Sequence, residues 1–373
     1  MDFSFSEEQQ AISDLAAQIL EGRLDDDRLR EMSRAGEYFD PATWSELAKA
    51  NLLGICLPED VGGSGLGFIE LCLILEQVGR RAAPVPVLAT LALGAMPLAE
   101  FGSPGARQAY LPGVVAGEVV LTAALVEPGA DLAHPVTKAS PKGESWLLDG
   151  IKICVPAGLE AQAVLVPATD PDGEVTVFVV PTSADGLSRQ RQDTTTGIPE
   201  AHLELSSVKV DPGDRLGGPG QGADILNWIV ERATVATCAT AVGVCEQALA
   251  LTAEYTKNRK QFDKVIATFQ AVGQRAADAY IDTEAVRLTT WQAAWRLAAG
   301  LPSAEAVAVA KFWAADGGQR VVHAAQHLHG GIGVDRDYPL HRYFLWAKHL
   351  ELTLGGATAQ LLRLGSMLAA EPA

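Results

Sequence analysis

Three histidines near the end of the chain stand at spacings that could bind a metal ion. His323, His327 and His329 fall within the segment HAAQHLHGG. A spacing of four residues places His323 and His327 on one face of a helix, where two imidazole rings can bind zinc. The HExxH motif is absent, however, and no carboxylate follows at ligand spacing. The sequence therefore predicts no metal site, and these histidines are expected at a helix end or an interface.

Two glycine-rich segments have the composition of loops that approach phosphate groups. They are GGSGLG at residues 62–67 and GGPGQG at residues 217–222. Neither matches GxGxxG between a strand and a helix, and neither contains the GK[ST] of a nucleotide triphosphate loop. The GSG within the first is also not the GxSxG of a hydrolase nucleophile. The sequence therefore predicts tight turns at both positions and gives no support to a Rossmann or NTPase site.

Two further segments indicate little when each is considered by itself. RKQFDK, at residues 259–264, ends a long stretch of helical periodicity and places Arg259 near Phe262. GGIG, at residues 330–333, is followed by Tyr338-Pro339, which is typical of a helix C-cap and a loop. Taken singly, the first predicts a charged surface turn and the second a helix end.

The composition limits the class of protein. The 373 residues are 48% hydrophobic, which is enough for a globular core, and the net charge is −17. This charge excludes sequence-independent nucleic-acid binding and disfavours anionic membranes. No apolar run reaches the roughly 18 residues of a membrane span, and the acidic start MDFSFSEEQQ does not resemble a secretory signal. Five cysteines without a CxxC pair predict reduced, buried thiols in a cytoplasmic protein.

The spacing of apolar residues changes twice along the chain. Residues 1–116 have helical spacing, residues 117–222 alternate with a period of two, and residues 223–373 return to helical spacing. Asp149-Gly150 and Asp172-Gly173 are predicted as hairpin turns. Because helices and strands stand in separate blocks, the predicted fold class is α+β rather than a doubly wound sheet. We predict an N-terminal α-helical domain, a central β-domain and a C-terminal helical domain with these bounds.

Five segments, in this order and spacing, resemble the acyl-CoA dehydrogenase family over essentially the whole chain. They are LPEDVGGSGLG, EPGA, LDGIK, RKQFDKVIATFQAV and HLHGGIGVDRDYPLHRYF. The resemblance implies a helical domain, a β-barrel-like domain and a C-terminal four-helix bundle, with FAD between the last two and a tetrameric assembly. It also implies an oxidoreductase of lipid metabolism that acts on CH–CH groups. A glutamate removes the α proton of an acyl-CoA thioester, the β hydride passes to the flavin, and an electron-transfer flavoprotein reoxidises the flavin.

The resemblance also implies which residues bind the cofactor. Arg259 matches the family arginine that meets the FAD pyrophosphate of a neighbouring subunit, a role suited to the guanidinium fork. Phe262 matches the aromatic residue beside that arginine, and Gln270 matches the polar contact in the following helix. Gly330 and Gly331 match the turn that lets the cofactor approach the backbone closely.

Two departures from the family pattern concern the cofactor. His327 stands three residues before the glycine pair, where the family usually has glutamine, and it is predicted to contact the cofactor in its place. Cys154-Val155-Pro156 aligns with the Trp-Ile-Thr segment that flanks the flavin ring in the family. Proline has no N–H to donate, and the aromatic wall is missing. The resemblance is therefore weakest where the β-domain would meet the flavin.

A third departure concerns the catalytic base. Counted from Tyr338-Pro339, the usual glutamate position holds Leu354, which cannot accept a proton. Some relatives place the glutamate on the first long bundle helix, where this chain has Ala233. Glu231 lies about 200° around the helix from Ala233, and Glu351 lies about 60° from the direction of Leu354. Glu231 and Glu351 are the candidate catalytic residues, and Glu231 is otherwise expected to form an ordinary Glu-Arg pair near the helix start.

Three hypotheses about function remain open. The first is an active FAD-dependent acyl-CoA dehydrogenase with a relocated base. The second is a catalytically silent subunit that contributes Arg259 and its bundle face to a FAD site in a heterotetramer with a homologous subunit. The third is a flavin-free scaffold that binds acyl-CoA. The sequence leaves open whether the acyl group is fatty, branched or steroid-derived, and whether the tetramer contains one kind of chain or two.

Overall fold

The computed structural model describes residues 4–370 of the chain. Helices come first, a curled β-sheet follows, and helices complete the described chain, so the predicted α+β fold class is confirmed. The helices of this part of the chain are α1 (Glu7–Arg23), α2 (Asp26–Ala35), α3 (Pro41–Lys49), α4 (Phe68–Arg81), α5 (Met96–Phe101), α6 (Pro104–Val115), α7 (Gly222–Asn258), α8 (Gln270–Ala298), α9 (Ala304–His329), α10 (Leu340–Leu352) and α11 (Ala357–Ala370). The strands are β1 (Leu121–Ala123), β2 (Lys138–Lys142), β3 (Ser145–Pro156), β4 (Ala163–Thr169), β5 (Val175–Pro181), β6 (Leu187–Gln192), β7 (Glu200–Val210), β8 (Lys260–Gln261) and β9 (Lys264–Val265).

The chain divides into two compact units, each built from separate segments. The bundle unit contains the described residues up to Glu37, the segment Cys72–Ala83 and the chain from Thr234 onwards. The sheet unit contains Tyr38–Leu71 and Pro84–Ala233. Helices of the predicted N-terminal domain occur in both units, and the predicted bounds of the three domains stay a prediction.

The sheet unit is built on seven strands in the order β1-β4-β2-β3-β7-β6, with β5 also paired to β4. β3 and β7 form its long antiparallel pair. In β7, Leu203 and Leu205 are buried and alternate with more exposed residues, and burial then resumes out of phase at Val208 and Val210. The phase changes because Ser207 has a φ of +54°, which inserts a bulge into the strand.

This bulge explains why the hairpin predicted at Asp149-Gly150 is wrong. Both residues lie inside β3, opposite the bulge. The Asp149 carboxylate accepts a hydrogen bond from the Ser207 backbone N–H at 2.7 Å. Gly150 is required for packing, since a Cβ there would lie 2.5 Å from the Thr137 hydroxyl oxygen. The Asp-Gly pair therefore serves contacts across the sheet rather than a reversal of the chain.

The second predicted hairpin turn, at Asp172-Gly173, is confirmed. β4 and β5 pair in antiparallel register as far as Thr169 and Val175, and the chain reverses between them. The Asp170 carboxylate accepts the backbone N–H groups of Asp172 and Glu174, both at 2.9 Å. Gly173 has a φ of +85°, a conformation that favours glycine.

In the bundle unit, α4 and α7 approach each other at two glycines. A Cβ at Gly79 would lie 1.9 Å from the Thr240 carbonyl oxygen, and a Cβ at Gly243 would lie 1.9 Å from the Glu76 carbonyl oxygen. The two backbones are therefore in direct contact, which only glycine allows at these positions.

α7 has a stretch that is long and apolar enough to cross a membrane by length and composition alone. The expectation that no apolar run of this length exists is wrong. Threonines stand between the apolar residues of α7 and hide its length in the sequence. Within the protein, 72% of this stretch is buried, as in the core helix of a folded bundle.

The cysteines are unpaired, as predicted, but they are not all buried. Cys72, Cys238 and Cys245 are buried, and burial raises the pKa of the Cys238 and Cys245 thiols to about 12. Cys56 is half-buried. Cys154 is exposed on β3, so the prediction of a buried thiol is wrong there.

Candidate functional site

The turn between α10 and α11 contains Leu354, the position of the family's glutamate base. Leu354 is half-buried and has a φ of +56°, and Gly355 follows with a φ of +93°. A left-handed backbone costs a leucine roughly 1–2 kcal/mol, so the surrounding structure must hold the turn in this form.

Two polar side chains of the bundle unit hold this turn from either side. The Lys311 ammonium on α9 is fully buried and donates to the carbonyl oxygens of Leu350 and Glu351, at 2.8 and 3.0 Å. These carbonyls lie at the end of α10 and have no partner within the helix. The buried Gln360 amide on α11 donates to the carbonyl oxygens of Leu354 and Gly355, at 3.3 and 3.2 Å. The turn is thus specified by its neighbours and does not depend on the residue at 354.

The environment of Lys311 is unusual for an ammonium group. Burial lowers the pKa of Lys311 to about 8, although interactions with Cys238 and Glu351 oppose this effect. Burial also lowers the pKa of the neighbouring His349, and the positive charge of Lys311 lowers it further. Sequence reasoning missed Lys311, and the available signal was a lysine inside the apolar segment AVAVAKFW.

Glu351, one of the two candidate bases, lies in the last turn of α10 and its carboxylate is already engaged. It forms an ion pair with the Lys348 ammonium at 2.5 Å, and its side chain is 16% exposed. Its position three residues before Leu354 agrees with the predicted spacing, but its pairing argues against a role as base.

Glu231, the other candidate base, lies on the part of α7 that belongs to the sheet unit. It is buried, at 7% exposure, and Ala233 beside it is completely buried. Arg232 is the arginine that was expected to pair with Glu231. Its guanidinium lies 3.7 Å from the centre of the Trp228 ring. Burial lowers the pKa of Arg232 to about 10, while Glu231 and Glu100 act in the opposite direction. Glu231 and Glu351 belong to different units, so neither unit contains both.

The predicted cofactor residues of the bundle unit occupy two exposed segments. Arg259 follows α7, Phe262 is at the tip of the β8–β9 hairpin, and Gln270 begins α8. Phe262 and Asp263 have φ values of +53° and +59°, the conformation of a two-residue hairpin turn, and Phe262 is 87% exposed. Within residues 4–370, no carboxylate lies within ion-pairing distance of Arg259. An exposed arginine without a counter-charge fits an anionic ligand such as a pyrophosphate.

The second exposed segment is the glycine pair at the end of α9. Gly330 has φ and ψ of +64° and −140°, a conformation reserved for glycine. No protein atom lies within 4 Å of a Cβ built on Gly330 or on Gly331. Open space therefore faces the backbone where a ligand would approach it. His327 is exposed three residues earlier, as expected for a helix-end histidine.

The sheet unit lacks corresponding features for a flavin ring. β3 has a register shift between Lys152 and Val155, and Cys154 within it has a φ of +52°. The Cys154 N–H donates to the Gln192 amide oxygen at 2.8 Å, and the Ile153 N–H donates to the Val126 carbonyl. Pro156 has no N–H. The N–H groups of Ile153 and Cys154 are therefore used within the protein, and Pro156 offers none. This part of β3 does not fit the flavin ring.

A buried ion pair lies behind β3. The Lys152 ammonium and the Glu127 carboxylate are both buried and lie 2.5 Å apart, and the ammonium also donates to the Pro167 carbonyl. Burial alone would raise the pKa of Glu127, but Lys152 and hydrogen bonds from Thr137 and Val136 outweigh burial and hold that pKa below its usual value. The role of this pair is structural, and sequence reasoning quoted both segments without linking them.

Within the described residues, no group of three or more His, Cys, Asp or Glu side chains could hold a metal ion. The rings of His323 and His327 are both exposed on α9, and His323 contacts Phe344 with ring centres 5.0 Å apart.

Comparison with known proteins finds three consecutive domain matches along the chain. Family models match the N-terminal domain of acyl-CoA dehydrogenases at residues 6–118, the middle domain at 123–209 and the C-terminal domain at 220–368. The chain is 40% identical to acyl-CoA dehydrogenase FadE27 of Mycobacterium tuberculosis, with 100% of both chains covered. It is 35% identical to acyl-CoA dehydrogenase FadE28 of the same organism, with 98% of each covered.

Solved structures agree with these sequence relatives. A variant of the Tcur3481-Tcur3483 steroid ACAD matches with a TM-score of 0.91 and 45% identity, covering 97% of this chain and 98% of that chain. The ChsE4-ChsE5 complex from Mycobacterium tuberculosis matches with a TM-score of 0.94 and 41% identity over 100% of both chains. Three consecutive domain matches and full-length relatives of this identity leave one conclusion, which is that the chain belongs to the acyl-CoA dehydrogenase family.

Proposed function

We propose that this chain is a subunit of an FAD-dependent acyl-CoA dehydrogenase that has no catalytic base of its own and contributes to a FAD site shared with a homologous subunit. The observation that carries this proposal is the turn at residues 353–356. Lys311 and Gln360 hold its backbone, yet the residue at the position of the base is Leu354. The framework that presents a base is therefore present, and the carboxylate is missing.

The chemistry explains why this absence matters. The α C–H of a thioester is a weak acid, so a positioned carboxylate of raised pKa must remove the proton while hydrogen-bond donors stabilise the thioester oxygen. Bound FAD would supply the acceptor for the β hydride. The Leu354 side chain cannot take the proton, and the Glu351 carboxylate is already paired with the Lys348 ammonium. Proton removal is therefore assigned to a carboxylate of the homologous subunit.

The two sides of the cofactor site support the same division of labour. On the bundle unit, Arg259 lacks a counter-charge and the Gly330-Gly331 turn faces open space, so these residues would hold the pyrophosphate of FAD. On the sheet unit, Gln192 takes the Cys154 N–H, and Pro156 has no N–H to offer to the flavin ring. The chain is thus equipped to complete a FAD site whose flavin-facing sheet belongs to its neighbour.

Relatives suggest the assembly and the substrate class. The ChsE4-ChsE5 structure is a complex of two differently named components, and the other close structure is described as a steroid ACAD. By analogy we propose a heterotetramer with a homologous subunit, an acyl-CoA substrate with a steroid-derived acyl group, and an electron-transfer flavoprotein as electron acceptor. A location in the cytoplasm is part of the same proposal.

A second candidate is an active dehydrogenase in which the base has moved to Glu231. The observation in its favour is burial, since Glu231 is 7% exposed and is therefore largely shielded from water. Glu351→Gln tests the remaining carboxylate near the usual position. The exposed Glu305 on α9 provides the matched control, because Glu305→Gln makes the same chemical change at a position other than Glu231 and Glu351.

The deciding experiment compares the purified chain alone with the chain co-purified with a homologous subunit. Absorbance measures bound flavin, and an artificial electron acceptor measures turnover of acyl-CoA thioesters. We expect the chain alone to be silent, because loss of a general base lowers the rate by roughly 10² to 10⁴-fold. Activity in the mixture should survive both Glu231→Gln and Glu351→Gln. Turnover by the chain alone that disappears in Glu231→Gln would establish the second candidate, and a colourless protein in every assembly would favour the flavin-free scaffold.

A further inference from the structure

The ring of His329 lies at the end of α9, directly before the glycine turn, and both of its nitrogens are engaged. The residue is 3% exposed. Nδ1 lies 2.8 Å from the Ala325 carbonyl oxygen, which can only accept, so Nδ1 carries the hydrogen and donates it. Nε2 lies 3.1 Å from the Tyr338 hydroxyl oxygen and accepts from it. Burial lowers the pKa of His329 and favours this neutral form. One ring thus connects the chain before the turn to the chain after it.

The same ring reaches the segment that carries Arg259. His329 stacks on Tyr255 of α7 with ring centres 4.4 Å apart and planes at 21°. Tyr255 lies one helical turn before Arg259, and the Arg259 N–H donates to the Tyr255 carbonyl at 2.8 Å. The Tyr338 ring meets the edge of Tyr255 at 6.4 Å, so the three rings form one cluster.

The cluster joins two groups that would otherwise be independent. The Gly330-Gly331 turn follows α9, and its glycines are the residues with the most backbone freedom to lose on ordering. Arg259 lies beyond the end of α7, in an exposed segment. When a ligand binds both groups, any motion of one relative to the other is lost at a cost in entropy. Fixing the two groups beforehand removes this cost and increases the affinity.

We propose that His329, Tyr255 and Tyr338 form a positioning cluster that fixes the Gly330-Gly331 turn relative to Arg259 and so sets the affinity of the chain for a dinucleotide pyrophosphate. The inference rests on the proposed function, since it names the residues that support the cofactor contacts of the bundle unit. None of the three side chains is required to touch the cofactor. They act through the backbone of the turn and through the end of α7.

Tyr338→Phe is the sharpest test because it removes only the hydroxyl that bonds His329. The matched control is Tyr280→Phe, the same change at a 57% exposed position on α8. Each variant is prepared as the full chain in the assembly that binds FAD, and FAD is titrated into the apoprotein. We expect Tyr338→Phe to weaken FAD binding roughly threefold to tenfold, the range for one buried hydrogen bond, and Tyr280→Phe to leave it unchanged. His329→Leu, which loses both bonds at similar volume, should weaken binding further.

Hydrogen exchange separates positioning from general stability. In the apoprotein, the amides of residues 330–334 should exchange faster in Tyr338→Phe than in the wild type. Val286→Ala serves as the stability control, because Val286 is completely buried in α8 and its truncation lowers the melting temperature without touching the cluster. Val286→Ala should leave both the exchange of these amides and the FAD affinity unchanged at temperatures well below melting.

The outcomes are distinct for the two proposals. Unchanged FAD affinity and unchanged exchange in Tyr338→Phe would overturn the positioning cluster, even if the melting temperature falls. If the wild type binds no FAD in any assembly, the proposed function is overturned instead, and the exchange data alone decide whether the cluster holds the turn. If His329→Leu fails to fold, the Tyr338→Phe result stands as the test.

Discussion

At the scale of single residues, this chain is predicted to keep some functional positions of its family and to have lost others. Arg259 and the Gly330-Gly331 pair stand exposed and open, as a phosphate contact requires. Leu354 and Cys154 occupy positions where the family has a base and an aromatic wall. In the proposed assembly, this chain binds the cofactor and the homologous subunit performs the proton transfer. Such a subunit needs its binding residues and does not need a catalytic base.

Arg259→Ala should lower the FAD occupancy of the assembly. A charge-assisted hydrogen bond to a phosphate is worth roughly 1.5–3 kcal/mol, so the affinity should fall about tenfold or more. Arg23→Ala, at an exposed arginine that ends α1, is the control for a lost surface charge. The measurement is flavin absorbance per chain on intact assemblies, and equal flavin content in both variants would contradict the assignment of Arg259.

Leu354→Glu should not make the isolated chain a dehydrogenase. The substitution places a carboxylate in the turn, but β3 still offers no donor at Pro156 and no aromatic ring at Cys154 to a flavin. The expected result is turnover of acyl-CoA no higher than that of the wild type when the chain is assayed alone. Substantial activity in this variant would mean that the missing base is the chain's only defect and that its own sheet does bind flavin.

At the scale of elements, buried ionic groups hold the strands and helices that form the site. Lys311 satisfies the end of α10 from α9, and Lys152 pairs with Glu127 behind the bulge of β3. Such groups are stable only when every partner is present, because a buried charge that has lost its partner is strongly unfavourable. Each of them therefore fixes the geometry of a segment rather than adding much net stability.

Glu127→Gln should destabilise the fold by about 3–5 kcal/mol, because it leaves the Lys152 ammonium buried without its counter-charge. The double variant Glu127→Gln with Lys152→Met should be less destabilised than Glu127→Gln alone. Asp193→Asn removes the surface partner of Arg191 and is the control, with an expected effect near zero. Urea unfolding midpoints measure all four proteins, and equal losses in the buried and surface variants would contradict the argument.

The same pair predicts a pH dependence. Because the folded pKa of Glu127 lies below its unfolded value, its contribution is fully present above the unfolded pKa and is lost as the pH falls through the folded pKa. The wild type should therefore lose stability on acidification more steeply than the double variant, whose residues do not titrate. Parallel stability curves for the two proteins in acid would show that Glu127 does not titrate as argued.

At the scale of the whole molecule, the proposed function assigns different roles to the two units. The bundle unit contains the predicted pyrophosphate contacts and the turn of Leu354, and the sheet unit contains the strand that would face a flavin. A net charge of −17 also limits the partners to those that do not require a basic surface, such as a homologous protein rather than nucleic acid.

This division predicts the flavin content of the assembly. If only the sheet of the homologous subunit can face a flavin, the assembly should contain half as many flavins as chains. The measurement is the ratio of flavin absorbance to total protein after co-purification, with quantitative amino-acid analysis of each chain. A flavin for every chain would contradict the proposed division, since β3 of this chain would then bind flavin despite Gln192 and Pro156.

The sequence by itself determined the family and the order of helices and strands, and it predicts the loss of the usual base. These properties depend on periodicity and on motifs that are local in the chain, so reading neighbours along the sequence is sufficient. The hairpin at Asp172-Gly173 is predictable for the same reason. Asp149-Gly150 is not, because its role depends on Ser207 in another strand, far away in the sequence.

Only the tertiary structure decided which polar residues support the site. Lys311 caps α10 from α9, Gln360 holds the turn of Leu354 from α11, and His329 joins three separate segments. Each of these contacts connects residues that share no local pattern, and the sequence around a buried lysine, glutamine or histidine does not identify the groups that it bonds. Their roles follow from burial, which requires every polar group to find a partner wherever the fold provides one.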